Sequence, residues 1–507
     1  MMPGVGEEPS MREIKTICVV GGGSAGSLSA LTLKRLLPGR RVISVSAPNI
    51  PVIGVGESTT AFLPDFLHSQ LQLDRKRFYR EVQPSWKLGI RFVWGPKERS
   101  HFNYSFAFEL SKRTGKLRKR SAYYLPKFGG DAGIFSRLMD HDLSHVIRDN
   151  GRHDIIGQPF GYHIDNQRFL QYLETMAKEA GVESIKGHIV EPSVDDAGDI
   201  SSLLLEDGRS IEADLFVDCS GFKSLLLGET LKEPFLSYSP PLRCNSAIVG
   251  DIARSGVIRP YTQAETMENG WCWSIELPER VSVGYVYSSD YCSDDAAREE
   301  LLQKKPELKG ELRTIRFPSG RRAGFWKNNV VAVGNASGFV EPLESTALHV
   351  ICEQLIMICS TLLDSDYRIA AAAREDANRR FRNTWDAIRD FLAVHYKFNT
   401  RSNSEFWRAC RSDTDLGGAE EIVRLYKELG PHSAMRFAVP QETLVQFEGY
   451  LALLMGQGVP TAFDGKFDGQ DAQDWKELQD IYQTVGKKAV PLREALDIVQ
   501  GANWQWT

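Results

Sequence analysis

A glycine-rich turn near the start of the chain constrains the fold more than any other feature. Gly21, Gly23 and Gly26 form the pattern G-x-G-x-x-G between an apolar run, residues 15–20, and a segment rich in Leu and Ala, residues 24–36. This order predicts a buried strand, a tight turn and a helix. The first glycine permits the turn, the second lets a pyrophosphate approach the backbone, and the third lets helix and strand pack closely. The pattern predicts a Rossmann-type dinucleotide site at the start of this helix.

The next strand departs from the usual dinucleotide fingerprint. Residues 41–45 predict a strand that ends at Ser46, where an acidic residue normally binds a ribose hydroxyl. Because serine carries no charge, we expect the adenosine ribose to be bound more weakly or through water. Ser24 and Ala25, which open the preceding helix, are the predicted phosphate contacts.

Composition and charge indicate the class of partner. The chain has 507 residues, 42% of them hydrophobic and 25% charged, which is typical of a globular enzyme with two or three lobes. Its formal net charge is -5, with both signs well mixed. We therefore expect a small-molecule substrate, and neither a nucleic-acid nor a membrane partner.

The cysteines and the N-terminal segment bear on the cellular compartment. The eight cysteines lack C-x-x-C spacing and lie mostly in apolar runs, so buried reduced thiols are expected, with no metal site. Residues 1–12 do not resemble a secretory signal, and no uninterrupted apolar run reaches the roughly 18 residues of a membrane span. These features predict a cytoplasmic protein.

The predicted organisation is α/β. Further strands at residues 213–219 and 329–333 are each followed by a glycine-containing turn, so the cofactor-binding sheet is expected to be assembled from separated segments. Residues 344–363 and 376–398 are expected to be helical. The expected organisation is a discontinuous cofactor-binding and catalytic core at 11–365, with substrate-region insertions at about 61–160 and 226–310, and a mainly helical C-terminal region at 366–507 that covers the substrate side.

Four segments, in the expected order, together resemble the flavin-dependent halogenases, in particular the branch that includes the tryptophan halogenases. They are residues 51–58, 86–92, 270–275 with 284–289, and 334–347, with support from 214–222, 395–396 and 406–408. The resemblance covers nearly the whole chain. It implies a Rossmann-type FAD-binding domain of the flavin monooxygenase/halogenase kind, a mixed-sheet substrate region and a helical C-terminal region.

The resemblance assigns further cofactor contacts. The first segment looks like the family's flavin-contacting strap, and the fourth is similar to the stretch that brings together flavin, halide and an active-site glutamate. The implied FAD contacts are Gly54, Val55, Gly56, Glu57, Ser58, Gly334, Asn335, Gly338 and Pro342.

The resemblance also assigns the chemistry. Reduced FAD, O₂ and chloride or bromide would give hypohalous acid, which passes to Lys87, the match to the family's essential lysine. That amine either hydrogen-bonds the oxidant or forms a haloamine. Glu344 would orient the oxidant or accept the ring proton, although a carboxylate there could also cap a helix. Backbone amides of Ser345, Thr346 and Ala347 would bind the halide, with Ala347 replacing the usual glycine.

Four aromatic residues are candidate walls of the reaction space. Trp271 and Trp273 match the family's W-x-W-x-I signature, which is thought to separate flavin from substrate. Tyr104 and Phe106 fall near the positions that sandwich the substrate ring. Aromatic residues on strands are also common in protein cores, so a packing role stays open for all four.

The substrate segment departs from the tryptophan halogenases. Residues 437–460 lack the paired tyrosines and the F-W-x-N stretch that hold the free amino acid, and an unpaired buried charge costs on the order of a few kcal/mol. We therefore expect a phenol, with tryptophan or indole as the alternative and aromatic hydroxylation by a flavin enzyme as the second. The family resemblance also implies a separate flavin reductase and a homodimer.

Overall fold

The structure is a computed structural model that describes most of the chain. The described residues are 12–48, 56–106, 133–157, 159–254, 256–432, 434–440, 444–462, 469–501 and 504–506. The expected flavin contacts Gly54 and Val55 lie outside these ranges.

The described residues include fourteen α-helices. They are α1 (Ser24–Leu36), α2 (Phe62–Asp65), α3 (Arg75–Glu81), α4 (Ile134–Asp140), α5 (Asn166–Glu179), α6 (Asp294–Lys304), α7 (Ala347–Asp364), α8 (Ala371–Phe398), α9 (Glu405–Asp413), α10 (Glu420–Leu429), α11 (Met435–Ala438), α12 (Phe447–Gly456), α13 (Gly469–Lys488) and α14 (Leu492–Gln500).

The described residues also include 25 β-strands. They are β1 (Thr16–Val20), β2 (Arg41–Ser46), β3 (Gly56–Ser58), β4 (Ser85–Lys87), β5 (Gly89–Val93), β6 (Phe102–Ser105), β7 (Leu143–Asp149), β8 (Arg152–Ile155), β9 (Gly161–Asp165), β10 (Glu183–Lys186), β11 (Ile189–Val194), β12 (Ile200–Leu205), β13 (Ser210–Ile211), β14 (Leu215–Asp218), β15 (Phe235–Ser237), β16 (Ser246–Ala253), β17 (Thr262–Met267), β18 (Gly270–Glu276), β19 (Arg280–Tyr287), β20 (Arg313–Arg316), β21 (Gly320–Arg322), β22 (Trp326–Lys327), β23 (Val330–Ala332), β24 (Gly338–Phe339) and β25 (Ala489–Pro491).

A six-stranded sheet forms the Rossmann-type core, in the order β10-β2-β1-β14-β23-β22. The pairs among its first five strands are parallel, and only β22 runs antiparallel to its neighbour. The strands β1, β2, β14 and β23 and the helix α1 confirm the elements expected from the sequence. The edge strand β10 was not expected, because its residues are largely exposed and show no apolar run.

A seven-stranded sheet forms the second layer, in the order β20-β16-β19-β18-β17-β5-β6. Strands β17 and β5 pair in parallel and the other neighbours are antiparallel, so the expected mixed sheet is confirmed. Strand β18 carries Trp271 and Trp273 and is buried along its whole length. This sheet therefore places both tryptophans inside the protein.

A small sheet, β3-β9-β4, brings distant segments together. Its central strand carries His163, which pairs in register with Ser58 on one side and Ser85 on the other. Lys87 lies two residues beyond Ser85 on the same outer strand. The sheet thus fixes the lysine near the segment that resembles the flavin strap.

The C-terminal region is mainly helical, as expected, but it is not a separate layer. Its short strand β25 pairs with β7, so the end of the chain returns to the first insertion. Three residues that include a proline give little strand signal in sequence, which explains why this pairing was not foreseen.

Helix α7 is long and apolar enough to cross a membrane by length and composition, but 56% of it is buried inside the protein. It packs against α1, α2 and α8, as a core helix does. All eight cysteines are free and seven are buried, which confirms the expectation of reduced thiols.

Candidate active site

The glycine turn opens into a cavity of about 600 Å³. Gly21, Gly23, Ser24 and Ala25 line one end of it. A Cβ atom on Gly23 would meet nothing within 4 Å, so this end is open to a ligand that approaches the backbone. A Cβ on Gly26 would lie 2.0 Å from the carbonyl oxygen of Gly21, so that glycine serves helix packing instead. Exposed amides at the start of α1 suit a pyrophosphate, so the residues present fit FAD.

The remaining expected FAD contacts divide into two groups. Glu57, Asn335 and Pro342 line the cavity. Burial raises the pKa of Glu57 to about 7, so this carboxyl is partly protonated near neutral pH. The second group lies outside the described lining of the cavity and consists of Gly56, Ser58, Gly334 and Gly338.

The glycines of the second group are packing positions. The amide of Gly56 donates to Ser282 Oγ at 3.2 Å. A Cβ on Gly334 would lie 2.9 Å from the Cβ of Ala25, and one on Gly338 would lie 3.0 Å from the carbonyl oxygen of Gly320. These positions hold neighbouring segments close together around the cavity.

Lys87 is fully buried at the end of β4. Its Nζ donates to Ser345 Oγ at 2.8 Å and lies 5.2 Å from the ring centroid of Phe106. Burial lowers the pKa of Lys87 to about 7, and the nearby carboxylate of Glu344 acts in the opposite direction. Both the amine and the ammonium are therefore accessible near neutral pH, as the two proposed roles of this lysine require.

A chain of hydroxyl groups leads away from Lys87. Ser345 Oγ donates to Ser58 Oγ at 3.0 Å, and Ser58 shares a hydrogen bond of 2.7 Å with Thr262 Oγ1. Thr262 in turn bonds His163 Nε2 at 2.8 Å. Burial, followed by the charge of Lys87, holds the pKa of His163 well below its ordinary value, so this histidine is neutral. Ser58 thus belongs to the lysine site, and Thr262 and His163 are members that sequence reasoning missed.

The expected halide site needs one correction. The Ser345 amide donates to the carbonyl oxygen of Pro342 at 3.1 Å, so it is not available to an anion. Ser345 has a left-handed backbone (φ 57°), which directs its side chain towards Lys87. Thr346 and Ala347 open α7, where amides have no intrahelical acceptor. These two amides remain the predicted halide donors.

Glu344 pairs with a histidine that the sequence analysis gave no role. Its Oε1 lies 2.7 Å from His395 Nε2, and both side chains are buried. His395 Nδ1 lies 3.0 Å from the carbonyl oxygen of Phe391, to which it can only donate. In the imidazole tautomer that this bond selects, Nε2 is an acceptor that faces the carboxyl, so it can share a proton that Glu344 takes up. The carboxyl engages His395, which favours a chemical role for Glu344 over helix capping.

A second buried carboxyl, that of Glu341, contacts Trp271. Glu341 accepts hydrogen bonds from Trp271 Nε1 at 3.2 Å and from the hydroxyl of Tyr396. Burial raises the pKa of Glu341 to about 7. The rings of Trp271 and Trp273 are 6.0 Å apart, and Trp273 faces the cofactor cavity. Glu341 and Tyr396 thus hold the Trp271 side chain in place, and the sequence analysis missed both.

The two candidate ring-sandwiching residues have different surroundings. Phe106 lies beside Lys87. The ring of Tyr104 lies edge-on to Phe391 at 6.3 Å, and its hydroxyl lies close to Gly449. Phe106 therefore borders the lysine site, whereas Tyr104 packs against α8 and α12.

Lys87→Met is expected to stabilise the folded protein. The pKa of this lysine falls from 10.5 to about 7 on folding. The folded state therefore binds fewer protons than the unfolded state between these values, so Lys87 lowers the free energy of unfolding most below about pH 7. Removing Lys87 should raise the free energy of unfolding by on the order of 2–4 kcal/mol at neutral pH, once the loss of its hydrogen bond is subtracted. Denaturant unfolding should show this gain at pH 7 and its decline as the pH approaches 10.5. A variant less stable than the wild type at every pH would contradict the burial argument.

The sequence and the fold are similar to those of known proteins. The family model described as tryptophan halogenase matches residues 16–471. Tryptophan 7-halogenase KtzQ of Kutzneria sp. (strain 744) is 33% identical over 443 residues, which cover 82% of each chain.

Two solved structures support the same assignment. MibH, a lathipeptide tryptophan 5-halogenase, superimposes with a TM-score of 0.88 at 36% identity, over 98% of this chain and 95% of that one. Xcc4156, a flavin-dependent halogenase from Xanthomonas campestris, gives 0.85 at 28% identity, over 98% and 100%. The family implies FAD and a halide as reaction components. The chain belongs to the tryptophan halogenase family and is a flavin-dependent halogenase.

Proposed function

We propose that the enzyme chlorinates or brominates the indole ring of a tryptophan residue within a peptide. The named relatives favour tryptophan, the alternative of the sequence analysis, and give no support to a phenol. The name of MibH also couples tryptophan with a peptide. The peptide form rests mainly on one observation in the substrate segment, the ion pair of Glu448.

Glu448 is the carboxylate of the substrate segment that the structure describes, on α12. It is largely buried and pairs with Arg436 at 3.1 Å. Burial raises the pKa of Glu448, and the guanidinium of Arg436 acts against that shift. The free ammonium of tryptophan would have to compete with this arginine for the largely buried carboxylate, although the Arg436 side chain is itself 59% exposed. A tryptophan inside a peptide has no free ammonium or carboxylate to pair.

A second feature of the segment favours a substrate larger than one amino acid. Phe437 on α11 is 88% exposed, next to the Arg436 that pairs with Glu448. A large apolar side chain in this position offers a contact for flanking residues of a peptide. We assign Phe437 this role as part of the proposal.

The chemistry divides among the buried residues. When bound, reduced FAD supplies hypohalous acid from O₂ and halide. Lys87 holds the halogen donor through its Nζ, on the side of Phe106. Glu344 accepts the proton that leaves the ring, and His395 Nε2, 2.7 Å from the carboxyl, can share that proton once it is taken up. Trp271 and Trp273 keep the substrate away from the flavin. A separate flavin reductase, a homodimer and a cytoplasmic location stay predictions.

The substrate class is tested by comparing N-acetyl-tryptophan amide, free tryptophan and resorcinol with reduced FAD, O₂ and bromide. The blocked amide imitates a peptide, and its kcat/KM should exceed that of free tryptophan by about tenfold or more, which is the effect of one poorly paired charge. Faster halogenation of free tryptophan would refute the peptide form. Faster halogenation of resorcinol would support the phenolic substrate that was expected from the sequence.

A matched variant checks the ion-pair argument. Glu448→Gln keeps the shape of the side chain and removes its charge, and it should leave free tryptophan as poor a substrate as before. If free tryptophan alone lost activity in this variant, Glu448 would bind the substrate ammonium, and the argument from Arg436 would fail.

A further inference from the structure

The acid that usually binds the ribose is missing at the end of β2, beside the glycine turn. Ser46 ends β2 at the position where Rossmann units place a carboxylate, and it lines the cavity. A neutral hydroxyl cannot accept the two ribose hydrogen bonds as a carboxylate does. Other side chains at this end must therefore supply the charge or leave the ribose weakly held.

Helix α5 presents a stripe of side chains to the same cavity. Asn166, Leu170 and Glu174 all line it. They are spaced four residues apart and so share one face of the helix over about 12 Å. Ser24 Oγ donates to Asn166 Oδ1 at 2.6 Å, which places the start of the stripe beside the phosphate-binding turn. Glu174 lies about two helical turns further along this face.

Lys186 contacts both Glu174 and Ser46, the residue that stands where the acid is usually found. It ends the edge strand β10 directly beside Ser46, its partner in register. Its Nζ donates to Ser46 Oγ at 3.1 Å and lies 3.7 Å from Glu174 Oε1. Lys186 and Glu174 both line the cavity, together with Gly187 and His188. Three elements thus converge where the adenosine half of a dinucleotide would lie.

We propose that Glu174 replaces the missing acid and binds the ribose hydroxyls of the adenosine half of FAD, with Lys186 holding Glu174 beside Ser46. The carboxylate accepts from the ribose diol, and the ammonium fixes its orientation. This inference goes beyond the halogenation chemistry, because it concerns only how the cofactor is held.

The test is the dissociation constant of oxidised FAD, measured by fluorescence titration on purified protein. Glu174→Gln should weaken FAD binding by about tenfold, the effect of one hydrogen bond to a charged group. Glu179→Gln is the matched control, because Glu179 lies on the same helix, has similar exposure and pairs with Arg77, but does not line the cavity. Its FAD affinity should be unchanged.

Salt separates a direct contact from a general charge effect. At about 1 M salt the screening length is about 3 Å, so a distant charge effect disappears and a hydrogen bond to the ribose persists. A loss in Glu174→Gln that persists at high salt supports the proposal. A loss that vanishes with salt, or that Glu179→Gln matches, overturns it. This measurement does not involve halogenation. A failure to halogenate N-acetyl-tryptophan amide would therefore count against the proposed substrate and would not affect the proposal for Glu174.

Discussion

Lys87→Met should halogenate at least about 100-fold more slowly than the wild type, the loss typical of removing one positioned hydrogen-bond donor from a reaction site. The thioether cannot donate to hypohalous acid or form a haloamine, and Lys87 is the amine at this buried site, bonded to Ser345. FAD binding should be unchanged, because Lys87 lies outside the described lining of the cofactor cavity. The measurement is the rate of halogenated product under single-turnover conditions, with FAD affinity determined in parallel.

Two comparisons make this loss specific. Lys178→Met removes an exposed lysine on α5 and should halogenate like the wild type. Lys87→Met should still consume reduced FAD and O₂, since the cofactor cavity is intact. If Lys87→Met kept the wild-type rate of halogenation, the assignment of the lysine would be wrong.

Glu344→Gln should slow halogenation by about 100-fold, within the range for loss of a general base. The side-chain amide of glutamine can donate to His395 Nε2, so the local packing is preserved, but the amide cannot take up the ring proton. Removal of that proton should then limit the rate. With an indole deuterated at the reacting position, a primary isotope effect should appear in the variant and be small in the wild type.

The control for this carboxyl lies on the next helix. Glu353→Gln changes a partly exposed glutamate of α7 that pairs with His349, and it should leave rate and isotope effect unchanged. An undiminished rate in Glu344→Gln, without an isotope effect, would return Glu344 to a structural role.

Local sequence patterns predicted those helices and strands whose apolar pattern is continuous along the chain. Helix α1 has the expected bounds, because a glycine turn precedes it and its apolar residues are regularly spaced. The edge strand β10 and the short β25 carry no such signal, since their residues are exposed or few. Their positions depend on pairing with distant strands.

The site shows the same division. Lys87 and Glu344 were predicted, because motifs mark them individually. The residues that bond to the site were not predicted. His395 lies 51 residues from its partner Glu344, and Thr262 lies 204 residues from its partner Ser58. These pairs arise from packing between elements and have no spacing that a sequence pattern could detect. The Ser345 amide was misassigned for a related reason, since its bond to Pro342 depends on the local turn.

The central claim, halogenation at a buried lysine, is tested most directly by one single-turnover reaction. Wild-type enzyme loaded with pre-reduced FAD is mixed with O₂, bromide and N-acetyl-tryptophan amide, alongside Lys87→Met, and the products are analysed by mass spectrometry. The account predicts a monobrominated indole from the wild type and almost none from the variant. An oxygenated product without bromine, or equal bromination by both proteins, would contradict it.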